Sequence, residues 1–355
     1  MKLEDLGYND KLEKFRIENN LNGFETGRVV AEHKDRYIVK TTKGEFEAEI
    51  TGNMRFTAKS RSDFPAVGDW VALMTYGSDL AIIHKILPRY SVIERQAVDQ
   101  PGKIQIIAAN IDFAFLVQAV DRDFNMNRLE RYLTICNSSK VYPVILLTKI
   151  DLINEDRISE IIDNIKSRIK NIPVIAISNE TREGYDNVNS CIEKGKTYCM
   201  LGSSGVGKSS LLNNLSGKTI MRTETISQST NKGRHITSHR ELVVLENGGI
   251  LIDNPGMREV GITDTASGLE ITFDTIVSLS QRCKFSDCTH THEIDCAVIE
   301  AVEHGKIDKA SYENYLKMQK EKAHFESTMA ERRKKDKEFG KMFKNYKKDI
   351  NKNKD

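Results

Sequence analysis

The stretch Gly202-Ser203-Ser204-Gly205-Val206-Gly207-Lys208-Ser209 decides how this chain folds. The apolar run Tyr198-Cys199-Met200-Leu201 leads into it and Ser210-Leu211-Leu212-Asn213-Asn214-Leu215 follows, giving the strand, glycine loop and helix that a phosphate-binding loop requires. Gly202, Gly205 and Gly207 open backbone angles closed to other residues and let the main chain approach a phosphate closely. Successive N–H groups, from Ser203, Ser204 and Val206 to Ser210, then cradle α- and β-phosphates at a helix N-terminus. Lys208 reaches the β and γ oxygens as a point charge, a catalytic as well as a binding role, and Ser209 offers a hydroxyl to Mg²⁺.

The other parts of a nucleotide site surround this loop in an unusual order. Val144-Ile145-Leu146-Leu147 reads as a buried strand that delivers Thr148-Lys149-Ile150-Asp151 at its carboxyl end, upstream of the phosphate loop. A carboxylate at Asp151 accepts from both N1–H and the 2-amino group of guanine, a donor pair that adenine lacks, and such readout discriminates strongly. Lys149 lays its stem along the base, while Ser178 and Asn179, after the strand Val174-Ile175-Ala176-Ile177, present backbone N–H to the 6-oxo group. Downstream of the loop, Asp253-Asn254-Pro255-Gly256 follows an apolar strand. Asp253 there holds a metal-bound water and the Gly256 N–H meets the γ-phosphate. The order base, phosphate, switch implies a circularly permuted GTPase, whereas an ATP-dependent kinase or ATPase is disfavoured by Asp151.

Glycine and polar residues dominate Ser227 to Ser238, a switch loop by composition, in which Thr237 is the second hydroxyl ligand for Mg²⁺. Met257 stands where many GTPases carry a water-orienting glutamine. His235 is the nearest polar candidate for that catalytic task, against the alternative that it braces the loop.

Cys283-x4-Cys288-x-His290-x5-Cys296 supplies three thiolates and an imidazole, a donor set for one closed tetrahedral Zn²⁺, with His292 as a rival to His290. Clustered cysteines point to metal rather than disulfides, whereas Cys136, Cys191 and Cys199 read as small apolar core residues. Met1-Lys2-Leu3-Glu4-Asp5-Leu6 lacks the apolar core of a signal peptide, and no apolar run nears the ~20 residues that span a membrane. A cytoplasmic protein with no membrane partner is expected, working as a monomer. From residue 331 onward eleven basic residues face five acidic ones, so the tail carries +6 and, with the chain at +2, the remainder carries −4. A basic tail on an acidic body suggests a polyanionic partner.

At 355 residues, several domains are expected. Residues 1–21 form a polar extension. Residues 22–98 carry short alternating segments, namely Arg28–Ala31, Tyr37–Lys40, Phe46–Ile50, Asp69–Leu73 and Leu80–Ile86, which fit a five-stranded β-barrel of the oligonucleotide-binding (OB) type. Arg55, Phe56, Lys59 and Arg61, in the loop before Pro65, offer charge and a stacking ring for RNA. Residues 104–262 alternate apolar strands with helices, an α/β unit with a mostly parallel sheet whose ligands gather at the strands' carboxyl ends. Residues 263–355 read as a zinc-binding helical domain with the basic tail, including helix over Asp308 to Lys337.

Taken together, these residues resemble the ribosome small-subunit-dependent GTPase A (RsgA) family. The likeness includes Val67-Gly68-Asp69-Trp70-Val71, Ala109-Asn110-Ile111-Asp112, Arg131-Tyr132-Leu133, the phosphate loop, Gly233-Arg234-His235, Asp253-x-Pro255-Gly256 and the Cys/His cluster. The resemblance implies an N-terminal barrel, a central GTPase domain and a C-terminal zinc domain, with His290 favoured over His292. It implies slow intrinsic conversion of GTP to GDP, stimulation by the small (30S) ribosomal subunit, and contact with its rRNA governed by nucleotide state in late subunit maturation. An RNA-binding module in which hydrolysis is incidental is the competing reading. Three departures from the family pattern stand out: Thr148 replaces an asparagine whose amide ties the base loop to the phosphate loop, Ile236 interrupts a threonine run, and Asn179 replaces a small residue. Loss of that amide is expected to weaken guanine affinity.

Overall fold

The computed structural model describes residues 1–33, 36–96, 104–121, 124–217, 241–253 and 266–352. Alternation of buried and exposed side chains sets the N-terminal strands β1 (Glu25–His33), β2 (Arg36–Lys40), β3 (Glu45–Ile50), β4 (Trp70–Tyr76) and β5 (Leu80–Ile86). They pair in the order β1-β2-β3-β5-β4, and β4 closes back onto β1 from Arg28↔Trp70 to Glu25↔Leu73. This is the five-stranded barrel expected from the sequence, with Val29, Val39, Phe46, Val71, Leu73 and Ile83 filling its interior. The first helix, α1 (Asp10–Glu18), starts at an Asn9 cap and packs Leu12 with Leu6 and Trp70 against the barrel's outer wall. A short helix, α2 (Gly52–Thr57), links β3 to β4. It takes up Arg55 and Phe56, which the sequence reading leaves in a loop.

The next strands, β6 (Val92–Gln96) and β7 (Ile104–Ala109), form a separate antiparallel pair. β6 therefore stands outside the barrel and belongs with the connection into the second unit. That unit contributes β8 (Phe113–Ala119), α3 (Met126–Ser139), β9 (Tyr142–Thr148), α4 (Glu155–Arg168), β10 (Val174–Ala176), α5 (Tyr185–Ser190), β11 (Thr197–Leu201), α6 (Lys208–Ser216), β12 (Glu241–Val244) and β13 (Ile250–Asp253). Its strand order is β10-β9-β8-β11-β13-β12, parallel except for β12. Burial on both faces explains why β8, β9 and β11 read as near-continuous apolar runs. Cys136 and Cys199 lie fully buried in this core, where burial pushes both thiols up, while Cys191 is half-buried.

The two units share a sheet. Strand β12 pairs with β1 at Ala31↔Glu241, so the barrel continues the parallel sheet as one eleven-stranded array. The C-terminal part is helical: α7 (Ala266–Thr272), α8 (Asp274–Ser280), α9 (Ala297–Glu303) and α10 (Lys309–Lys352), the last a single helix that runs past the expected limit at Lys337. Leu269, Phe273, Ile276, Val298, Tyr315 and Met318 form its own small core. Among the described residues no helix is long and apolar enough to cross a membrane.

Arg28 pins the N-terminal extension, the barrel and the α/β unit at one point. Its fully buried guanidinium donates to Leu6 O, Gly68 O (3.1 Å) and Asn110 O (3.0 Å), and lies over the Trp70 ring. Gly68, at φ 94°, lets the barrel approach this closely, because a Cβ there would sit 2.1 Å from Ala109 O. Burial lowers the Arg28 pKa, while Tyr90, Asp112 and Asp69 oppose that shift. Gly68 O also accepts from Asn110 Nδ2, and Asn110 O from Tyr90 Oη. Loss of Arg28 therefore costs chiefly packing and the Leu6 bond. Arg28→Ala should destabilise the protein by roughly 2–3 kcal/mol in urea unfolding and expose residues 1–21 to proteolysis. Unchanged stability would show that the joint is dispensable.

Candidate GTP site and metal cluster

The carboxyl ends of β8, β9, β10, β11 and β13 lie along one edge of the sheet and bring the motif residues together. The phosphate loop leaves β11 and enters α6, whose N-cap is Gly207 at φ 93°. A Cβ at Gly207 would lie 2.4 Å from Asn179 Nδ2, so the base loop and phosphate loop touch at this glycine. Lys208 Nζ donates to Gly202 O (2.8 Å) and to Ser203 O, curling the ammonium over the loop where phosphate oxygens belong. Ser209 and Ser210 occupy the first turn of α6, whose partial positive charge favours an anion. Asp253, nearly buried, ends β13 opposite Glu241. His235, Thr237 and Gly256 lie outside the described residues.

On the base side Thr148 is fully buried, and its hydroxyl donates to Val206 O at 2.6 Å. This corrects the expected loss of a tie. The shorter hydroxyl makes the link to the phosphate loop because β9 brings its Cβ close to that carbonyl. Lys149 takes a left-handed conformation (φ 64°) and pairs with Asp121 Oδ2 at 2.8 Å, which fixes its stem. Ile150 is buried beneath the loop. Ser178, at the end of β10, donates to Asp151 Oδ1 at 2.6 Å and so orients the exposed carboxylate.

Asn179 is a second tether. Its amide donates to Gly207 O at 3.1 Å, Tyr185 Oη donates to its Oδ1 at 2.7 Å, and Asn214 Nδ2 of α6 donates to its backbone carbonyl at 3.0 Å. Burial raises the Tyr185 phenol, which keeps it a donor here. Arg128, in the first turn of α3, donates to Ser203 Oγ at 3.1 Å. Sequence reading missed Asp121, Arg128, Tyr185 and Asn214. Asp121 alone carried a signal, since it follows a strand whose carboxyl end faces the site.

The second cluster stands in the helical part. One ligand atom each from Cys283, Cys288, His290 and Cys296 lies within 4.8 Å of the others. Cys283 Sγ is 3.8 Å from Cys296 Sγ, and both sulfurs are 3.5 Å from His290 Nδ1. Tetrahedral ligands at zinc–sulfur bonds of about 2.3 Å stand about 3.8 Å apart, so the spacing fits one zinc. His290, not His292, completes the set. Desolvation lowers the His290 pKa, favouring the neutral ring a metal needs. The Glu293 carboxylate accepts from the backbone N–H of Thr289, Thr291 and His292, bracing the loop that presents this ring.

On the barrel, Phe56 is 91% exposed. Arg61 donates to Glu32 Oε1 at 2.7 Å, which offsets part of the positive charge expected there.

Comparison with known proteins agrees with this geometry. The RsgA GTPase family model matches residues 86–263, spanning the base strand, the phosphate loop and β13. A protein of Lactiplantibacillus plantarum named small ribosomal subunit biogenesis GTPase RsgA 2 is 43% identical over 300 residues, 84% of each chain. The chain belongs to the RsgA GTPase family. Its relative in Bacteroides thetaiotaomicron, small ribosomal subunit biogenesis GTPase RsgA 1, is 38% identical over 96% of each chain. Among solved structures, YjeQ from Thermotoga maritima aligns with TM-score 0.60 and 27% identity, covering 83% of this chain and 96% of that one. YloQ, described as a circularly permuted GTPase, aligns with TM-score 0.59 and 26% identity, over 87% of this chain and 96% of that one. An ABC transporter model also matches residues 185–348. That range shares the phosphate loop with RsgA but omits the base strand β9.

Thr148→Val removes the tether and leaves Val206 O without this donor. GTP affinity should fall about tenfold, one buried hydrogen bond being ~1–3 kcal/mol, while Thr148→Ser should retain it. Titration of a fluorescent GTP analogue measures both, and unchanged affinity in Thr148→Val would dismiss the tether.

Proposed function

We propose that this chain binds GTP across the β9, β10 and β11 loops and hydrolyses it while acting on the maturing small ribosomal subunit. The observation that carries this reading is the pair of tethers, Thr148 to Val206 and Asn179 to Gly207, which join the base-reading loops to the phosphate loop. Asp151, oriented by Ser178, reads guanine, and Lys149, fixed by Asp121, lays its stem along the base. The backbone of Gly202 to Ser210 holds the phosphates, and Lys208 stabilises charge that develops on the β–γ bridging and γ oxygens as water attacks the γ-phosphorus. His235 orients that water, and the Gly256 N–H meets the γ-phosphate. Ser209, Thr237 and Asp253 would hold Mg²⁺, which supplies charge neutralisation on the phosphates. Cys283, Cys288, His290 and Cys296 would hold one Zn²⁺ in a closed site, contributing folding energy rather than chemistry.

The relatives' names identify them as small ribosomal subunit biogenesis GTPases, which supports the 30S subunit and its rRNA as partners. Exposed Phe56 beside Arg55 and Lys59 suits base stacking with backbone contact, and the basic tail adds to it. The biogenesis role in the relatives' names supports a protein working in the cytoplasm, and a monomer is proposed with it. Phosphate release should rise at least tenfold when purified small subunits are added, and the gain should shrink at higher salt. Equal rates with and without subunits would refute coupling and leave an RNA-binding module whose hydrolysis is incidental.

A further inference from the structure

Helix α3 has two sets of partners that no motif connects. Its first turn carries Arg128, which donates to Ser203 Oγ in the phosphate loop at 3.1 Å. The following residues are held by α4 and by the C-terminal helices. Glu130 is buried, yet its carboxylate accepts from Arg168 Nη2 (2.8 Å), Ser311 Oγ (2.7 Å) and Asn314 Nδ2 (2.7 Å). Arg131 makes a two-pronged pair with Glu321 at 2.7 and 2.8 Å. Asn137 donates to Thr272 Oγ1 of α7, and a Cβ on Gly268 would lie 2.2 Å from Thr134 O, so α7 and α3 cross at near backbone contact. Tyr312 of α10 in turn donates to the carbonyl of His290, within the Cys/His cluster.

These contacts run unbroken from the cluster, through α10, to α3 and the phosphate loop. The covalent route from β13 to the C-terminal helices is a separate one. A buried carboxylate whose donors come from two other helices resists sliding, because each displaced donor leaves buried charge unpaired. Packed helices then move as units rather than deforming. A tilt of α10 would therefore carry α3 with it and reach Ser203 through Arg128.

We propose that Arg128 is a positioning residue for the phosphate loop, and that Glu130, gripped by Ser311 and Asn314, links its placement to the C-terminal zinc-cluster domain. Neither residue touches nucleotide in this account, which rests on the phosphate loop being the GTP site. By reciprocity, a domain that sets the loop's affinity for GTP is itself shifted when GTP binds.

A double-mutant cycle on the full chain tests this, read as the dissociation constant of a non-hydrolysable GTP analogue. Arg128→Met should weaken binding about tenfold, the loss of one charge-assisted hydrogen bond. Asn314→Ala, distant from the nucleotide, should weaken it about threefold, and Ser311→Ala should act in the same direction with less risk to folding. In an Arg128→Met background, either C-terminal change should then have little further effect. Wild-type affinity in both Asn314→Ala and Ser311→Ala, with folding confirmed by thermal melting, would overturn the linkage, as would strict additivity with Arg128→Met. Lys208→Ala is the control. If it too binds the analogue normally, the GTP-site reading fails. If it abolishes binding while the Arg128, Ser311 and Asn314 variants behave as wild type, only the linkage fails.

Discussion

Parallel pairing of β11 with β8 on one side and β13 on the other is the constraint on which the site depends. Parallel strands place all their carboxyl ends at one edge of the sheet, so loops that read base, phosphate and switch converge there whatever their order in the chain. Spatial order survives permutation because pairing depends on burial and register, not on which strand is made first. What the permutation changes is the connections. The chain enters β8 from the β6–β7 pair, beyond which lies the barrel, and leaves β13 toward α7 and the Cys/His cluster. Both accessory parts are thus attached at the ends that permutation creates, and both are one connection away from the nucleotide edge.

Two buried charges then keep those parts from drifting. Arg28 fastens the barrel and N-terminal extension to Asn110 through three carbonyls, without a directly bonded carboxylate. Glu130 fastens α10 to α3 through the Ser311 hydroxyl and the Asn314 amide, and takes a third bond from Arg168 of α4. Neither arrangement is chosen for stability alone, since apolar packing of the same volume is often as good. Their directional bonds define one docking geometry for each accessory part. The sharing of a sheet between β12 and β1 adds a third, backbone-mediated joint.

Much of this was legible in the sequence because it depends on local patterns. Strands β5 and β7 to β9 announce themselves by composition, the phosphate loop by its glycines, and the Cys/His cluster by spacing. The barrel's closure followed from five short alternating segments. What escaped reading depends on side chains that meet only in three dimensions. Thr148 reads as a weakened guanine site because it lacks an asparagine's amide, and only the approach of β9 to Val206 shows that its hydroxyl makes the tie. Asn179, Tyr185 and Asn214 form a network across three elements with no shared spacing. The β12–β1 pairing was invisible because a single register pair, Ala31↔Glu241, leaves no pattern in either strand.

The central claim is that Asp151, in the turn after a strand that precedes the phosphate loop, reads the guanine of a nucleotide held by that loop. Replacing it with asparagine tests this directly, because an amide donates where the carboxylate accepted, and xanthine presents a 2-oxo acceptor in place of the 2-amino donor. Competition between GTP and xanthosine triphosphate on Asp151→Asn should reverse the wild-type preference, with GTP affinity falling by roughly a hundredfold or more. An Asp151→Asn protein that still prefers GTP as the wild type does would contradict the account.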